Sequence, residues 1–439
     1  MPSSPQGGDA PDDDPDSDPS ADPSGDPNGE SGDDQPFPSS FPGLPFNFDL
    51  SGVEFAALAS ALQSSGPLNW PVATQLASIV ATGGEDEPAI DTAARTQLDE
   101  LARAARTHVV AETGLADMFS AEVRTIDRRE WATLHLDALK PVLEQLAITF
   151  GAAFQPESFV MPETFGPETF GIEDSPETAD ALRSMLPMLA PLLLGVQAGS
   201  MVGYLAQHAL GRYDLPLPAA DEPSLCFVVR NIDAFETDWS LERADLRFYL
   251  AIHEVVHAAV RSVSWVRKAM VELATEYVSG YEVDATILGA RLGDIDPSDP
   301  ASMQALTEHP NELLGAIRSD RQHEVLTRAR VLHAVLEGYA DVILERVGNQ
   351  LIPTFDRIHE AMARHRLERG DAERFVEGLL GLATDREDYE RGAAFCAGVI
   401  ERSGIEALHH LWERPEMAPT PNDFDAPGLW LARIEMLDP

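Results

Sequence analysis

One apolar stretch, RFYLAIHEVVHAAV at residues 247–260, limits the fold more than any other part of this 439-residue sequence. Its apolar residues recur with the 3.6-residue period of an amphipathic helix, so one face of that helix has to be buried. His253 and His257 lie on the same face, because residues four apart stack on one side of a helix. Glu254 lies at the edge of that face, about 100° round the helix from His253. The chain therefore has to bury two imidazoles and a neighbouring carboxylate.

Two histidines one turn apart with a glutamate beside the first form the H-E-x-x-H signature of zinc metallopeptidases. Two neutral imidazoles on one rigid helix suit zinc, and the glutamate can take a proton from metal-bound water without binding the metal. The motif predicts His253 and His257 as ligands of a single Zn²⁺ and Glu254 as the general base. Ser240 is predicted to cap the amino end of the helix.

A catalytic zinc takes three protein ligands and keeps a fourth position open. The best source of the third ligand is HAVLEGYADVI, residues 333–343, which continues the apolar stripe of a long helix. Glu337 is the predicted ligand. Asp341, one turn further on, is predicted to accept the far N–H of a ligating histidine and so fix its tautomer. Gly338 leaves room for a close neighbour.

Two alternatives for the third ligand remain open. Glu276 follows His257 by 19 residues, close to the spacing in compact zinc peptidases, but no aspartate follows it one turn later. His333 lies one turn before Glu337 and offers an imidazole in place of the carboxylate. If His333 closed the fourth position, the metal would be structural, because structural zinc sites are saturated.

The composition excludes several partners. Lys plus Arg number 31 and Asp plus Glu number 74, which gives a net charge of −43. Such a surface repels nucleic acid and anionic membranes. The two cysteines, Cys226 and Cys396, are too few for a disulfide framework, and the amino end lacks the pattern of a signal peptide. The expected compartment is the cytoplasm.

An uncharged segment, residues 184–207, is long enough to span a bilayer. Its prolines and glutamines, and flanks without a Lys/Arg asymmetry, favour a buried helix instead, with a membrane anchor as the alternative. Gly195, Gly199 and Gly203 recur every four residues and would let another backbone pack closely.

The rest of the chain predicts a mainly α (α+β) fold with a small sheet. Residues 1–48 form an acidic Pro/Gly/Ser tail that cannot bury enough surface to fold. An N-terminal helical region at 49–155 and a catalytic region at 177–435 follow, with a proline cluster at 156–176 as the boundary; we expect 49–435 to form one compact unit. Residues 225–232 are the best strand candidate, and we expect that strand to offer an edge to an extended substrate. Helices are predicted at 51–63, 68–82, 89–112, 128–149, 177–210, 241–262, 264–280, 301–306, 311–318, 320–348, 355–368, 371–382, 386–403 and 404–413.

The combination of LRFYLAIHEVVHAAV with LEGYADVI resembles the zincin clan, in the branch with a glutamate third ligand. From about residue 41 onward the chain is similar to the Zincin_2 family of bacterial zinc-dependent metallopeptidases. The supporting stretches are FPGLPFNFDL, SGPLNWPVATQLA, REWATLHLDALKPVLEQLA, GYLAQHALGRYDLPLP and LLGLATDREDYERGAAFCAGVIERSGIEALHHLWERPEMAPT. The resemblance implies a zincin-like fold, with His253, His257 and Glu337 as ligands and Glu254 as base.

The expected function is therefore hydrolysis of peptide or amide bonds in a peptide or protein substrate. The alternative is a non-catalytic zinc-binding scaffold of the same fold. A tetrahedral oxyanion needs a second electrophile besides the metal. Four residues of the C-terminal helices are candidates, and the sequence does not choose among them: Tyr389, Arg391, His409 and His410.

Overall fold

Helices make up most of the chain, as the 3.6-residue periodicity predicts. The structure is a computed structural model, and it describes residues 66–115, 121–151, 176–219, 221, 223–282, 319–367 and 370–437. Its helices are α1 (Trp70–Thr82), α2 (Thr92–Thr113), α3 (Arg128–Ala138), α4 (Lys140–Gly151), α5 (Pro176–Ala206), α6 (Val229–Asp238), α7 (Arg243–Ser262), α8 (Ser264–Ser279), α9 (Asp320–Leu351), α10 (Phe355–Leu367), α11 (Asp371–Leu380), α12 (Arg386–Ser403), α13 (Glu406–His409), α14 (Pro421–Phe424) and α15 (Pro427–Leu437). The expected mainly α class is confirmed.

A small parallel sheet accompanies the helices. Strand β1 (Val123–Ile126) pairs with β2 (Leu225–Val228). The strand predicted at 225–232 is correct only in its first half, because the chain turns into α6 at Val229. The apolar residues that follow, Val229, Ile232 and Phe235, are buried at helical spacing, so one face of a helix buries them together. Strand β1 was not predicted, since four residues give too little alternation to recognise.

Strand β2 links two hydrophobic clusters. Leu225 and Phe227 belong to a cluster that includes buried residues of α2, α7, α9 and α12. Cys226 and Val228 belong to a second cluster that includes residues of α1, α3, α4, α5 and α8. Successive side chains of a strand point to opposite faces, and every residue of β2 is buried. The sheet therefore lies between the two clusters.

The predicted use of β2 as a substrate-binding edge is wrong. One side of β2 is paired with β1. On the other side, the Val228 N–H donates to the Leu210 carbonyl at 3.0 Å, and Gly211 forms an antiparallel bridge with Phe227. An extended peptide would need unpaired backbone groups along one side of the strand, and both sides of β2 are occupied.

The uncharged segment at 184–207 lies almost entirely within α5, whose backbone approaches α1 closely. A Cβ placed on Gly195 would be 2.6 Å from the Asn69 carbonyl oxygen, and one on Gly203 would be 2.7 Å from that of Ala77. The predicted close packing at these glycines is confirmed. Among the helices that the structure describes, none is long and apolar enough to cross a membrane.

Several predictions concern residues outside the described ranges: the tail at 1–48, helices at 51–63, 301–306 and 311–318, and the boundary at 156–176. The described residues all fall within one compact unit, Ser40–Pro439. The division into regions at 49–155 and 177–435 stays a prediction.

The contact between α5 and α1 predicts the effect of adding one methyl group. We expect Gly203→Ala to lower the free energy of unfolding by about 1–3 kcal/mol, because the new Cβ meets Ala77 backbone and the Val80 side chain. Gly151→Ala, where a Cβ meets nothing within 4 Å, should leave it unchanged or slightly raised. Urea unfolding of both variants checks this. Equal stabilities would contradict the close contact.

Candidate metal centre

The motif helix α7 is buried along most of its length. It begins at Arg243 with Glu242 as its N-cap and no side-chain cap. The prediction that Ser240 caps it is wrong: Ser240 lies outside the helix, with a left-handed φ of 49°. Exposed fractions are 7% for His253, 2% for Glu254 and 0% for His257. The helix therefore carries all three motif residues into the protein interior.

The two motif histidines lie side by side, with ring centroids 4.3 Å apart. Burial lowers the pKa of His253 to about 4 and the pKa of His257 well below its ordinary value, and the nearby Arg366 lowers both further. Both rings are therefore neutral near pH 7. A neutral imidazole has the nitrogen lone pair that a metal ion requires.

Helix α9 brings Glu337 to the same place. Its Oε2 lies 3.8 Å from Nε2 of His257, across 80 residues of sequence. A Cβ on the neighbouring Gly338 would be 2.6 Å from the backbone of Gly392 in α12, so the predicted close neighbour of Gly338 is found. The absence of side chains at these two glycines lets α9 and α12 meet backbone to backbone, which fixes the position of Glu337.

An arginine from α10 links the two acidic residues of α9. Arg366 donates to Glu337 Oε2 at 3.3 Å and to the two oxygens of Asp341 at 3.1 and 3.4 Å. Burial alone would lower the pKa of Arg366, but these carboxylates raise it overall. Asp341 is thus held by a guanidinium, and the described hydrogen bonds include none from a histidine to Asp341. Its predicted role in orienting a ligating histidine stays a prediction.

Glu254 lies in a cradle of backbone amides. Its Oε1 accepts from the Tyr213 N–H at 2.9 Å, and its Oε2 accepts from the N–H of Arg212 at 3.1 Å and of Cys226 at 3.5 Å. Burial raises the pKa of Glu254 to about 8, against the opposing effect of these three N–H groups. Gly211 closes the cradle, since any Cβ there would collide with the Glu254 carboxylate.

Helix α3 holds this cradle from the other side. The Trp131 indole N–H donates to the Gly211 carbonyl at 2.7 Å, and His135 Nε2 lies 3.3 Å from the Arg212 carbonyl. The two rings stack, with centroids 3.7 Å apart. The segment at 211–213 is therefore fixed by aromatic side chains from the N-terminal part of the chain.

The alternative third ligands occupy different surroundings. Glu276 is partly exposed, and its carboxylate is bound to Arg328 at 2.7 Å and Arg321 at 3.4 Å. His333 is 3% exposed, with an Nδ1 that has no hydrogen-bond partner in the structure. Burial lowers its pKa to about 4. The carboxylate of Glu276 is engaged at the surface, whereas the imidazole of His333 is buried and neutral.

The candidate oxyanion-stabilising residues each contact another group. Arg391 forms a two-pronged pair with Asp425. Tyr389 lies under the Arg366 guanidinium, 5.7 Å from ring centroid to Cζ. The remaining two are bound to other side chains, His409 to Tyr339 at 3.0 Å and His410 to Glu413 at 2.8 Å. Their role at the site stays a prediction.

Two arginines beside the site were not predicted. Arg261 Nη1 lies 2.7 Å from Nδ1 of His257, and its spacing of four residues from His257 was a signal present in the sequence. Arg366 had no such signal, because its contact with Glu337 depends on how α10 packs. The backbone cradle around Glu254 also leaves no sequence pattern, since it uses main-chain groups that every residue carries.

The donor types suit a zinc ion, and two of them lie close together. However, Arg261 Nη1 donates to Nδ1 of His257 at 2.7 Å, which leaves the proton of the neutral ring on Nε2, so metal binding at Nε2 requires this hydrogen bond to break. Nε2 of His257 is buried without a hydrogen-bond partner and faces the Glu337 carboxylate. Two ligands about 2.1 Å from a tetrahedral ion lie about 3.4 Å apart, close to the observed 3.8 Å. Within the described ranges, however, no three His, Cys, Asp or Glu side chains already converge on one point. Binding a metal therefore requires local movement of the side chains.

A buried helix with two neutral histidines and a glutamate, facing a second helix that supplies a carboxylate, defines the class of zincin-like metallopeptidases. The profile of one family of that class, the Zincin_2 zincin-like metallopeptidases, matches residues 68–431. The chain belongs to this family, as its sequence motifs indicated.

One solved structure has the same fold. It is the crystal structure of a "putative hydrolase with a novel fold" from Chloroflexus aurantiacus, 24% identical, with a TM-score of 0.53. The alignment covers 84% of this chain and 99% of that one. A search of curated proteins found no match.

The buried His135 predicts a dependence of stability on pH. Burial lowers its folded pKa from 6.5 to about 4, so between these values the unfolded chain takes up a proton that the folded protein does not. The contribution of His135 to the free energy of unfolding is therefore fully present above pH 6.5. It should fall on acidification by at most about 1.4 kcal/mol per pH unit down to pH 4. The stability advantage of wild type over His135→Gln should therefore shrink from pH 6.5 to pH 4, measured by denaturant unfolding.

The matched control is His323→Gln, a substitution at an exposed histidine of α9. Its pH profile should run parallel to that of wild type. Parallel profiles for His135→Gln and wild type would contradict the proposed burial of a neutral ring.

Proposed function

We propose that the protein is a zinc-dependent hydrolase that cleaves peptide or amide bonds. His253, His257 and Glu337 hold one zinc ion, and Glu254 is the general base. The family and its fold support a metallopeptidase; the residue roles and the peptide or protein substrate are our proposal.

One observation carries this function. The sequence separates His257 from Glu337, yet folding puts the unpartnered Nε2 of His257 3.8 Å from a Glu337 oxygen. A buried imidazole nitrogen without a partner is unfavourable unless something binds it. An imidazole pair and one carboxylate form the donor set of many catalytic zinc sites.

A bound zinc ion supplies a Lewis acid that polarises the scissile carbonyl and makes water a better nucleophile. The protein's own residues do the rest. The backbone cradle of Arg212 and Tyr213 orients the Glu254 carboxyl group. When this carboxyl is ionised, above its pKa of about 8, Oε1 keeps a second acceptor position for a proton from water. The same carboxyl then delivers this proton to the leaving amine. Arg366 holds Glu337 in place through its contact at 3.3 Å.

The second candidate is a non-catalytic zinc-binding scaffold. The observation that favours it is His333, buried one turn before Glu337 with Nδ1 unpartnered. If His333 were a fourth ligand, the site would be closed to substrate. The presence of Glu254 beside the histidines favours catalysis, because a structural site has no use for a base.

The base assignment predicts that Glu254→Gln separates metal binding from catalysis. Zinc content should be unchanged, while the rate of hydrolysis falls by about 10²- to 10⁴-fold, because the amide cannot accept the proton of water. A peptide-library cleavage assay on protein of known zinc content measures the rate. The matched control is Glu276→Gln in the partly exposed glutamate of α8, which should keep full activity. Undiminished activity in Glu254→Gln would contradict the assignment of Glu254 as the general base.

The ligand assignment predicts that His257→Ala lowers zinc affinity by more than about 100-fold, the upper range for loss of a residue that only supports a ligand. Competition with a chromogenic chelator measures the affinity. His333→Ala should bind zinc normally if the site is catalytic. An equal loss of affinity in His333→Ala would favour the structural alternative, and normal binding by His257→Ala would exclude His257 as a ligand.

A further inference from the structure

Arg261 is the most unusual charged residue near the motif. It lies one turn after His257 on α7 and is only 3% exposed. One amino group, Nη1, lies 2.7 Å from Nδ1 of His257. The other two nitrogens, Nε and Nη2, are buried and have no hydrogen-bond partner in the structure. A buried guanidinium is unfavourable unless its charge and its N–H groups are paired.

The two unpartnered nitrogens form one geometric unit. Nε–H and Nη2–H point in parallel from one edge of the planar guanidinium, at the spacing of the two oxygens of a carboxylate. His257 occupies the opposite side, at Nη1. Arg261 therefore presents a complete bidentate edge, which recognises a carboxylate better than a single point charge does.

A second donor without a hydrogen-bond partner belongs to the ring that packs against this guanidinium. The Tyr213 ring lies against the guanidinium, 4.8 Å from the Arg261 Cζ, and also faces the His257 ring, 6.1 Å between centroids. Its hydroxyl is buried without a hydrogen-bond partner in the structure. Buried hydroxyl groups of tyrosine usually have one. Arg261 and Tyr213 thus offer three N–H and O–H donors next to His257.

A small cavity of about 10 Å³, room for about one water molecule, borders these two residues. A carboxylate could enter only if the lining side chains moved apart. Arg212, Arg261 and Arg267 line the cavity, together with Tyr213 and Met270. Asp221 also lines the cavity, but its carboxylate is bound by Arg212 at 2.7 Å. Arg212 and Arg267 each have partners, whereas Arg261 keeps one guanidinium edge without a hydrogen bond. The unpaired edge of Arg261 favours an anionic group there.

We propose that Arg261 and Tyr213 form a carboxylate-binding subsite beside His257, which selects substrates that carry a free carboxylate near the scissile bond. This subsite extends the proposed hydrolase function. It rests on that function, because the bound molecule is a substrate only if the protein is a hydrolase. The carboxylate has two possible sources, the C-terminus of a peptide and the side chain of an aspartate or glutamate. Both offer the same two oxygens to the guanidinium edge.

Binding to zinc-loaded Glu254→Gln tests the subsite without turnover. The probes are three N-acetylated tripeptides: one with a free C-terminus, its C-terminal amide, and an amide that contains glutamate. Isothermal titration calorimetry should show at least one carboxylate probe binding about 10- to 100-fold more tightly than the uncharged amide, the range expected for charged hydrogen bonds. The probe that binds identifies the source.

Substitutions in the same background assign the preference. Arg261→Met should remove the preference for carboxylate probes. Arg261→Lys should retain only a small part of it, because lysine lacks the two parallel N–H groups of the guanidinium. Tyr213→Phe should weaken the preference, because it removes the hydroxyl and keeps the ring. Arg103→Met, at an exposed arginine of α2, is the control that keeps the preference. Thermal unfolding and zinc content confirm that each variant is folded and loaded.

The outcomes are distinct from those of the proposed function. A carboxylate preference that Arg261→Met removes supports the subsite even if wild type hydrolyses nothing, in which case only the hydrolase fails. Any of three results would overturn the proposed subsite: equal binding of all three probes, no binding of any probe, or a carboxylate preference that survives in folded Arg261→Met.

Discussion

The site depends on the close approach of three helices. Helix α7 supplies the histidines, α9 supplies Glu337, and α12 fixes α9 through the contact between Gly338 and Gly392. A Cβ at Gly392 would collide with the Ala334 carbonyl oxygen, so the two backbones meet only because both positions are glycine. A Cβ at either position would collide with the opposite backbone, so α9 and α12 would have to separate. We expect such a separation to change the 3.8 Å distance between His257 and Glu337.

Buried charges around the histidines are arranged in pairs rather than dispersed. Arg366 binds both Glu337 and Asp341, and backbone N–H groups satisfy Glu254. Further out, Asp214 pairs with His365 at 3.2 Å; burial alone would raise the pKa of Asp214, but this histidine lowers it to about 2. Such pairing offsets the cost of removing charges from water. Arg261 departs from this pattern, because one edge of its guanidinium has no partner.

Local periodicity was enough to predict most of the described helices, although not α6, α14 or α15. It also predicted that His253, Glu254 and His257 lie on one helix. A position for Glu337 facing His257 could be proposed only because a long amphipathic helix has one buried side. Glu337 lies at the edge of that side. Contacts that join distant elements had no such signal. Arg366 reaches Glu337 from α10, and the amides of Arg212 and Tyr213 reach Glu254 from a segment without regular structure. Main-chain donors are common to all residues, so no motif marks them.

The change from strand to helix at Val229 shows the limit of propensity. The run at 225–232 contains three β-branched residues and one aromatic residue among its eight, which favours a strand. Its second half nevertheless forms a helix, because a helical turn puts Val229 and Ile232 on one buried face. Tertiary burial outweighs a preference worth about 1 kcal/mol over the whole scale.

The charges around His257 also explain why an anionic substrate would suit this site. When their carboxylates are ionised, Glu254, Glu337 and Asp341 carry three negative charges against two positive charges on Arg261 and Arg366, and the two histidines are neutral. A divalent cation would leave one uncompensated positive charge among these side chains. Like unit charges 4 Å apart repel by about 4 kcal/mol at an effective dielectric constant of 20. A carboxylate on the unpartnered edge of Arg261 would neutralise that charge, so metal and acidic ligand should each favour binding of the other.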